Sequence, residues 1–276
     1  MRIAVIGHVE HVTLGRVPQA PRTGEIAHLE GPRFLAGGGG GIAFFQLTRS
    51  AAQVLLFTAL GDDEAARQVS ARLLQSGAEI HAAQRAQPHT RDLVMITPDG
   101  ERTIVVVGEP LHPLRSDALP WERLGACDAA YFTAQDPLAL QAARAARVLV
   151  VTARRKEALL KSGVRAEVVV GSALDPREVC ALADFPAARR PAALVMTAGA
   201  AGGRVETAGG VRRFPAPAAV ARGGGAYGAG DSFAGALTYF LAAGLDPLEA
   251  CSRAARYGAA MLSTVDPLEA QLTLEL

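Results

Sequence analysis

Residues 223–244 read GGGAYGAGDSFAGALTYFLAAG, a glycine run that ends on an acidic residue at the start of an apolar periodic stretch. Phe233, Ala236, Leu237, Phe240 and Leu241 recur at three- and four-residue spacing, which predicts a helix with one face in the core and Gly244 as its C-terminal stop. Gly228, Ala229 and Gly230 carry little or no side chain, so their amides can turn toward one point, where the positive end of the helix also aims. A phosphoryl group suits that point. Asp231 would repel a resting phosphate there, so its carboxylate reads as a base that takes a proton from the group attacking the phosphorus. The plainer reading is a glycine-rich turn feeding a helix with an Asp cap.

Outward from this segment, short apolar runs alternate with helical stretches. Arg2–Ile6, Val54–Ala59, Ala129–Thr133, Val148–Thr152, Glu167–Gly171 and Ala193–Thr197 read as buried strands, and residues 65–76 and 136–146 as covering helices. The pattern predicts an α/β fold around a mostly parallel sheet. Two stretches depart from it: residues 11–34, and residues 90–108, where two β-rich runs flank Asp99-Gly100 and predict an antiparallel hairpin. No Gly-x-x-x-x-Gly-Lys-Ser/Thr is present, which excludes a P-loop, and no Gly-x-Gly-x-x-Gly follows the first strand.

The stretch GAGDSFAGAL resembles the C-terminal signature of the ribokinase or PfkB group of carbohydrate kinases, and three further segments resemble that group in the same order. They are AGGGGGIA at 36–43, ALGDDE at 59–64 and TAGAAG at 197–202. The resemblance implies a ribokinase-like three-layer α/β/α sandwich over residues 1–276, one domain with a small β lid formed by about 11–34 and 90–108. It implies an ATP-dependent phosphotransferase acting on a hydroxyl of a sugar or sugar-like molecule, with Asp231 as general base and the 228–230 backbone as anion hole. Mg2+ is implied with the nucleotide, and a monovalent cation is admitted. Ser172, Thr197, Gly199, Gly202, Gly225 and Gly228 are then expected around the nucleotide, and Asp175 near the metal through water. A nucleoside kinase and a catalytically impaired ligand-binding member of the same fold are the competing readings.

Departures from that pattern fall on the ligand sites. Gly225-Ala226-Tyr227 stands where the family usually has Asp-Thr-x, Gly41 where it carries an Asn on the sugar, and Ser172-Ala173-Leu174-Asp175 where it has Asn-x-x-Glu. At the end of the first strand, His8 and Glu10 would share one face while Val9 and His11 take the other, so a single metal would not easily collect the His-x-Glu-His string. His8 and Glu10 are expected to face the substrate, since ligands of open α/β sheets gather at the carboxyl ends of strands. The Gly37, Gly38 and Gly41 positions would let a ring approach the backbone, and Asp62 or Asp63 would add hydroxyl acceptors. An aromatic clamp by Phe34, Phe44 or Phe45 would favour a nucleoside instead.

A net charge of +1 over 276 residues, with arginines scattered among acids, gives no general attraction to nucleic acid or an anionic membrane. No run of ~18 apolar residues or cleavable leader pattern is present, so a cytoplasmic protein is expected. Cys127, Cys180 and Cys251 are too few and too dispersed for a disulfide framework and read as buried spectators. Unpaired edges on the β lid would be covered by a second subunit, giving a homodimer through that element.

Overall fold

The computed structural model describes residues 1–218 and 223–276. Its centre is a nine-stranded sheet formed by β1 (Arg2–Ile6), β4 (Gln53–Leu60), β5 (Glu79–Gln84), β8 (Ala129–Phe132), β9 (Val148–Thr152), β10 (Val168–Ser172), β11 (Ala193–Thr197), β12 (Gly203–Thr207) and β13 (Gly210–Phe214). Their spatial order is β13-β12-β11-β10-β9-β8-β1-β4-β5. The seven strands from β11 to β5 run parallel, while β12 and β13 form an antiparallel hairpin at one edge. That hairpin is not anticipated from the sequence, because Arg204, Glu206, Arg212 and Arg213 interrupt its apolar pattern.

Strand alternation divides the core into two layers. Ile3 and Val5 face one side of the sheet with α1 (Gly38–Thr48), α2 (Glu64–Leu74) and α5 (Ala229–Ala242), while Ala4 and Ile6 face the other with α3 (Pro137–Ala143) and α4 (Lys156–Ser162). The fold is therefore an α/β/α sandwich. Helix α6 (Pro247–Ala260) packs on α5, capped by the Asp246 carboxylate on the Leu248 and Glu249 amides. Every residue of α5 from Ser232 to Ala242 is buried, so this helix lies inside the layer between α1, α6 and β8. Gly244, with φ of 91°, closes it.

A second sheet of four strands stands apart: β2 (Glu10–Arg16), β3 (Glu30–Gly37), β6 (Arg91–Ile96) and β7 (Arg102–Val107), in the order β3-β2-β6-β7. β6 and β7 pair antiparallel around Asp99-Gly100, where Gly100 adopts φ of 83°, and β2 joins β6 in parallel. This sheet grows directly from the ends of β1 and α1, because β2 follows β1 after three residues and β3 runs into α1 at Gly37–Gly38.

Close approach fixes that junction. A Cβ on Gly40 would stand 2.6 Å from the His8 carbonyl oxygen and 2.9 Å from the Gly7 carbonyl carbon, so α1 rests on the backbone leaving β1. Gly40→Ala is expected to lower stability by about 1–3 kcal/mol by pushing two backbones apart, measured as a shift of the denaturant midpoint; an unchanged midpoint would mean that the junction yields freely.

Candidate active site

The ends of the parallel strands bring together segments far apart in sequence. His8 leaves β1, Thr133 leaves β8, Arg154 and Arg155 leave β9, Ser172 ends β10 and Thr197 ends β11, all along the carboxyl edge of the sheet. Above this edge lie the N-termini of α1 and α5.

One half of the site is built on α1. Gly38 has φ of 77°, and its amide donates to the Tyr227 hydroxyl at 3.2 Å. The next amide, Gly39, donates to His8 Nε2 at 3.2 Å, and Gly40 donates to the His8 carbonyl at 3.1 Å. With Nε2 as acceptor, the His8 proton sits on Nδ1. Burial, followed by the nearby His112 and Arg155, holds His8 well below the usual histidine range, so the ring is neutral at physiological pH. A Cβ on Gly38 would come within 2.9 Å of a Glu10 carboxyl oxygen, and one on Gly39 would come within 3.0 Å of Asp231 Oδ1 and 3.2 Å of Thr133 Oγ1. His8, Glu10, Thr133 and Asp231 thus converge on a strip of backbone without side chains.

His8 and Glu10 share this face, while Val9 is fully buried in the core and His11 turns to Gln68 and stacks on Phe34 at 4.3 Å. Phe34 lies on the face of the small sheet opposite Glu10, and Phe44 and Phe45 are core residues, so none of the three clamps this site. Gly41 packs against Val9 and the Ala36 carbonyl, one residue behind the strip and away from Glu10. Asp63 caps α2 on the Ala66 amide and pairs with Arg91 at 2.6 Å; its carboxylate is spent on structure.

The Glu10 carboxyl has the Asp92 carboxyl of β6 for a neighbour. Both residues are almost wholly buried. Burial first and the Asp92 charge second lift Glu10 far above the usual carboxylate range, and burial lifts Asp92 as well. Asp92 is legible in sequence only as a charge inside the apolar run Arg91–Ile96.

The other half is built on α5. Gly228 precedes the helix at φ of 78°, and Asp231 sits in its first turn. The Ala229 amide is directed to the Ala226 carbonyl at 3.4 Å, whereas those of Gly228 and Gly230 bond no acceptor among the described residues. Gly230 is exposed with open space beside it. Burial, joined by the Glu178 charge, pushes Asp231 up to about 6 against the opposite pull of Arg154 and Arg102. At the ends of β10 and β11, Ser172 and Thr197 are register partners, and Gly199 and Gly202 adopt φ of 55° and 78° in the turn after β11. Asp175 pairs with Arg154 at 2.5 Å, and Glu178 accepts from the same guanidinium at 2.9 Å and from the Ser172 amide at 2.8 Å. No cluster of three or more metal-ligating side chains occurs among the described residues, but Asp175 and Glu178 give the one or two carboxylates that a hydrated Mg2+ requires.

The small sheet reaches this second half too. Gly100 O accepts from the Ala226 amide at 3.2 Å, Arg16 donates to the Gly223 carbonyl, and Ile96 packs on Gly225 so closely that a Cβ there would lie 2.7 Å from its Cδ1. Gly225 is buried beneath Ile96, and its immediate contact is the small sheet. Thr133, Arg154, Arg155 and Glu178 escape a motif reading, although the first three follow expected strands at the edge where ligands gather.

The pfkB family carbohydrate kinase model matches residues 1–161 and 166–272. The chain belongs to the pfkB family of carbohydrate kinases. No curated protein matches the sequence. Among solved structures, one described as a "putative ribokinase from Agrobacterium tumefaciens" superposes with a TM-score of 0.81 at 22% identity, over 99% of this chain and 94% of that one. Thermotoga maritima ribokinase gives 0.75 at 17% identity, covering 99% and 96%, and a Burkholderia thailandensis nucleoside kinase solved with inosine gives 0.74 at 16%, covering 98% and 94%. No helix among the described residues is long and apolar enough to cross a membrane.

The lifted Asp231 carboxyl makes stability depend on pH. Its folded-state value of about 6 lies above the ordinary 3.8, so the folded protein holds the proton more tightly, and that stability is present below 3.8 and lost as pH rises through about 6. The loss is on the order of 2–3 kcal/mol. Asp231→Asn is expected to melt several degrees above wild type at pH 8, with the gap closing toward pH 4. Coincident melting curves at pH 8 would show that the ionised carboxylate carries no burial cost.

Proposed function

We propose that this pfkB family kinase transfers the γ-phosphoryl group of ATP to a hydroxyl of a sugar or sugar-like small molecule, with Asp231 as the general base. The observation that supports this reading is the position of Asp231 Oδ1. It faces the side-chain-free strip at Gly39 while its own helix presents the unpaired Gly228 and Gly230 amides. An acceptor hydroxyl on that strip lies beside the carboxylate, and the phosphoryl group lies at the helix mouth.

In the transfer, the acceptor oxygen bonds to the γ-phosphorus as the bond from phosphorus to the bridging oxygen breaks, and the diphosphate departs. Asp231 takes the hydroxyl proton, while the Gly228 and Gly230 amides and the α5 dipole hold the charge on the phosphoryl oxygens. With its amide turned to Ala226, Ala229 contributes less to that anion hole than its neighbours. The turns at Thr197, Gly199 and Gly202 and the segment from Gly225 to Gly228 flank the nucleotide. Mg2+ with the nucleotide would neutralise phosphate charge, held through water by Asp175 and Glu178. A monovalent cation has no dedicated carboxylate at Gly225.

On the acceptor side, Glu10 and His8 would hydrogen-bond hydroxyls, and Gly38 and Gly39 would give a ring access to the backbone; Gly37, expected to do so as well, is instead packed against Val12 and the Tyr227 hydroxyl. A polyol is favoured over a nucleoside because none of Phe34, Phe44 and Phe45 faces Glu10. The small sheet acts as a lid: Gly100 and Ile96 already rest on the loop before α5, which keeps water from the phosphoryl group. Its outer strand β7 leaves Ile104, Val105, Val106 and Val107 exposed, and a second copy of the chain covering that edge gives a homodimer.

Asp231→Asn is expected to lower kcat by at least ~10³-fold, the scale of losing a positioned base together with its charge, while nucleotide binding measured by calorimetry persists. Turnover near wild type would remove Asp231 as base. In the wild type, kcat/KM should rise tenfold per pH unit below about 6 and level off above it, since the base acts only when ionised. Light scattering is expected to give twice the 28.7 kDa chain mass, and Val106→Lys to return a monomer; a monomeric wild type would discard the dimer.

A further inference from the structure

Arg155 follows β9 in the short turn Ala153–Arg155, and its guanidinium is only partly used. Nε donates to the Thr133 carbonyl at 2.9 Å, and Nη2 lies 3.5 Å from His112 Nε2. Among the described residues no carboxylate oxygen comes within 4.0 Å of it, in contrast to Arg154 beside it, which holds both Asp175 and Glu178. One neighbour of Arg155 borders the glycine strip and the other borders His8. Thr133 Oγ1 faces Gly39 together with Asp231, and the His112 ring stands 5.0 Å from that of His8 in an edge-on arrangement.

Among the described residues no carboxylate pairs directly with this cation; Glu10 acts on it from beyond ion-pair distance. His112 is almost fully buried, its Nδ1 has no hydrogen-bond partner, and burial with the Arg155 charge pushes it down to about 3, so it is neutral. His8 is neutral for the same reasons, and its Nδ1 is likewise buried without a partner. Burial and the neighbouring Asp92 lift Glu10 to about 9, so the acid whose charge would act on Arg155 is mostly protonated at neutral pH. A guanidinium withdrawn from water without an ionic partner is unfavourable, and its planar fork matches a carboxylate or a phosphate through two parallel hydrogen bonds.

We infer that Arg155, with the His8 and His112 imidazoles, forms an anion subsite on the acceptor side, and that the substrate is a sugar carrying a carboxylate or phosphate group at a carbon remote from the phosphorylated hydroxyl. This inference rests on the kinase reading above. Arg155 binds the anion, His8 and His112 donate from Nδ1 or turn to it, and the hydroxyl is thereby fixed relative to Asp231. The nucleotide's own phosphates are taken by the α5 mouth, on the far side of Asp231.

The test is a turnover assay with ATP and Mg2+ across matched sets: a neutral sugar, the corresponding sugar acid and the corresponding sugar monophosphate. The wild type is expected to prefer one of the two anionic members over the neutral one by about 100-fold in kcat/KM, the scale of a buried charge pair, and which member is preferred separates carboxylate from phosphate. Arg155→Gln should reduce that preference by about the same factor, mainly through KM, and Arg155→Lys should restore part of it. A wild type that uses neutral sugars as well as anionic ones overturns the inference while leaving the kinase intact, and this holds even if Arg155→Gln does not fold. An unchanged preference in a folded Arg155→Gln also overturns it. Absence of turnover on every acceptor counts against the kinase reading; calorimetry of the sugar acid and sugar phosphate on wild type then decides the subsite, no binding of either overturning it.

Discussion

The organisation of the site depends on how the first turn of α1 satisfies its amides. Gly38, Gly39 and Gly40 begin a helix that has no side-chain cap of its own and no acidic residue in its first turn. Their N–H groups are taken instead by the Tyr227 hydroxyl, His8 Nε2 and the His8 carbonyl. Three orphan donors that would otherwise need water or an anion thus tie together the end of β1, the entry to α1 and the loop before α5. The same bonds leave α1 with little remaining capacity for a phosphate. The helix mouth that stays open is that of α5, which faces across the strip from it.

That closure explains why the glycines must be consecutive. A side chain at position 38 would meet Glu10, one at 39 would meet Asp231, and one at 40 would meet the backbone of Gly7 and His8. The first two clashes are with functional groups and the third is with the frame that holds them. Removing side chains from α1 is what allows the Glu10 and Asp231 carboxyls to approach one small space. The cost of gathering such groups is visible in their ionisation: acids are lifted, imidazoles are held neutral, and the excess is spread across Arg154, Asp175 and Glu178 at the neighbouring strand ends.

Much of this was legible in the chain. The apolar runs that end at Ile6, Phe132, Thr152, Ser172 and Thr197 carry the parallel sheet, and Asp99-Gly100 turns the β6–β7 hairpin because glycine accepts the positive φ found at residue 100. The opposition of His8 and Glu10 to Val9 and His11 follows from strand geometry alone. Other parts depend on tertiary contact and leave little local trace. Helix α1 is buried around most of its circumference, so it shows no amphipathic period, and its four leading glycines argue against a helix on propensity. Arg155 and His112 acquire meaning only when β8, β9 and the coil after β7 meet. Asp63 looks like a hydroxyl acceptor in sequence, but its place ahead of α2 turns it inward to a cap.

The residues that depart from the family pattern are linked by the same packing. Gly225 stands where an Asp is usual, and Ile96 of the small sheet fills the space over it; any Cβ there would lie 2.7 Å from the Ile96 side chain. With the sheet seated in this position, an aspartate at 225 would require the Ile96 side chain to shift, so an apolar contact stands where the family has a charged residue. Gly41, in place of an Asn, lies behind the acceptor strip against Val9 and Ala36, where a longer side chain would collide before reaching a ligand. The polar groups that remain near the strip come instead from the ends and starts of strands: His8 after β1, Glu10 on β2, Asp92 on β6 and Arg155 after β9. If these groups take over recognition, as proposed above, charge on the acceptor is selected as well as its hydroxyls.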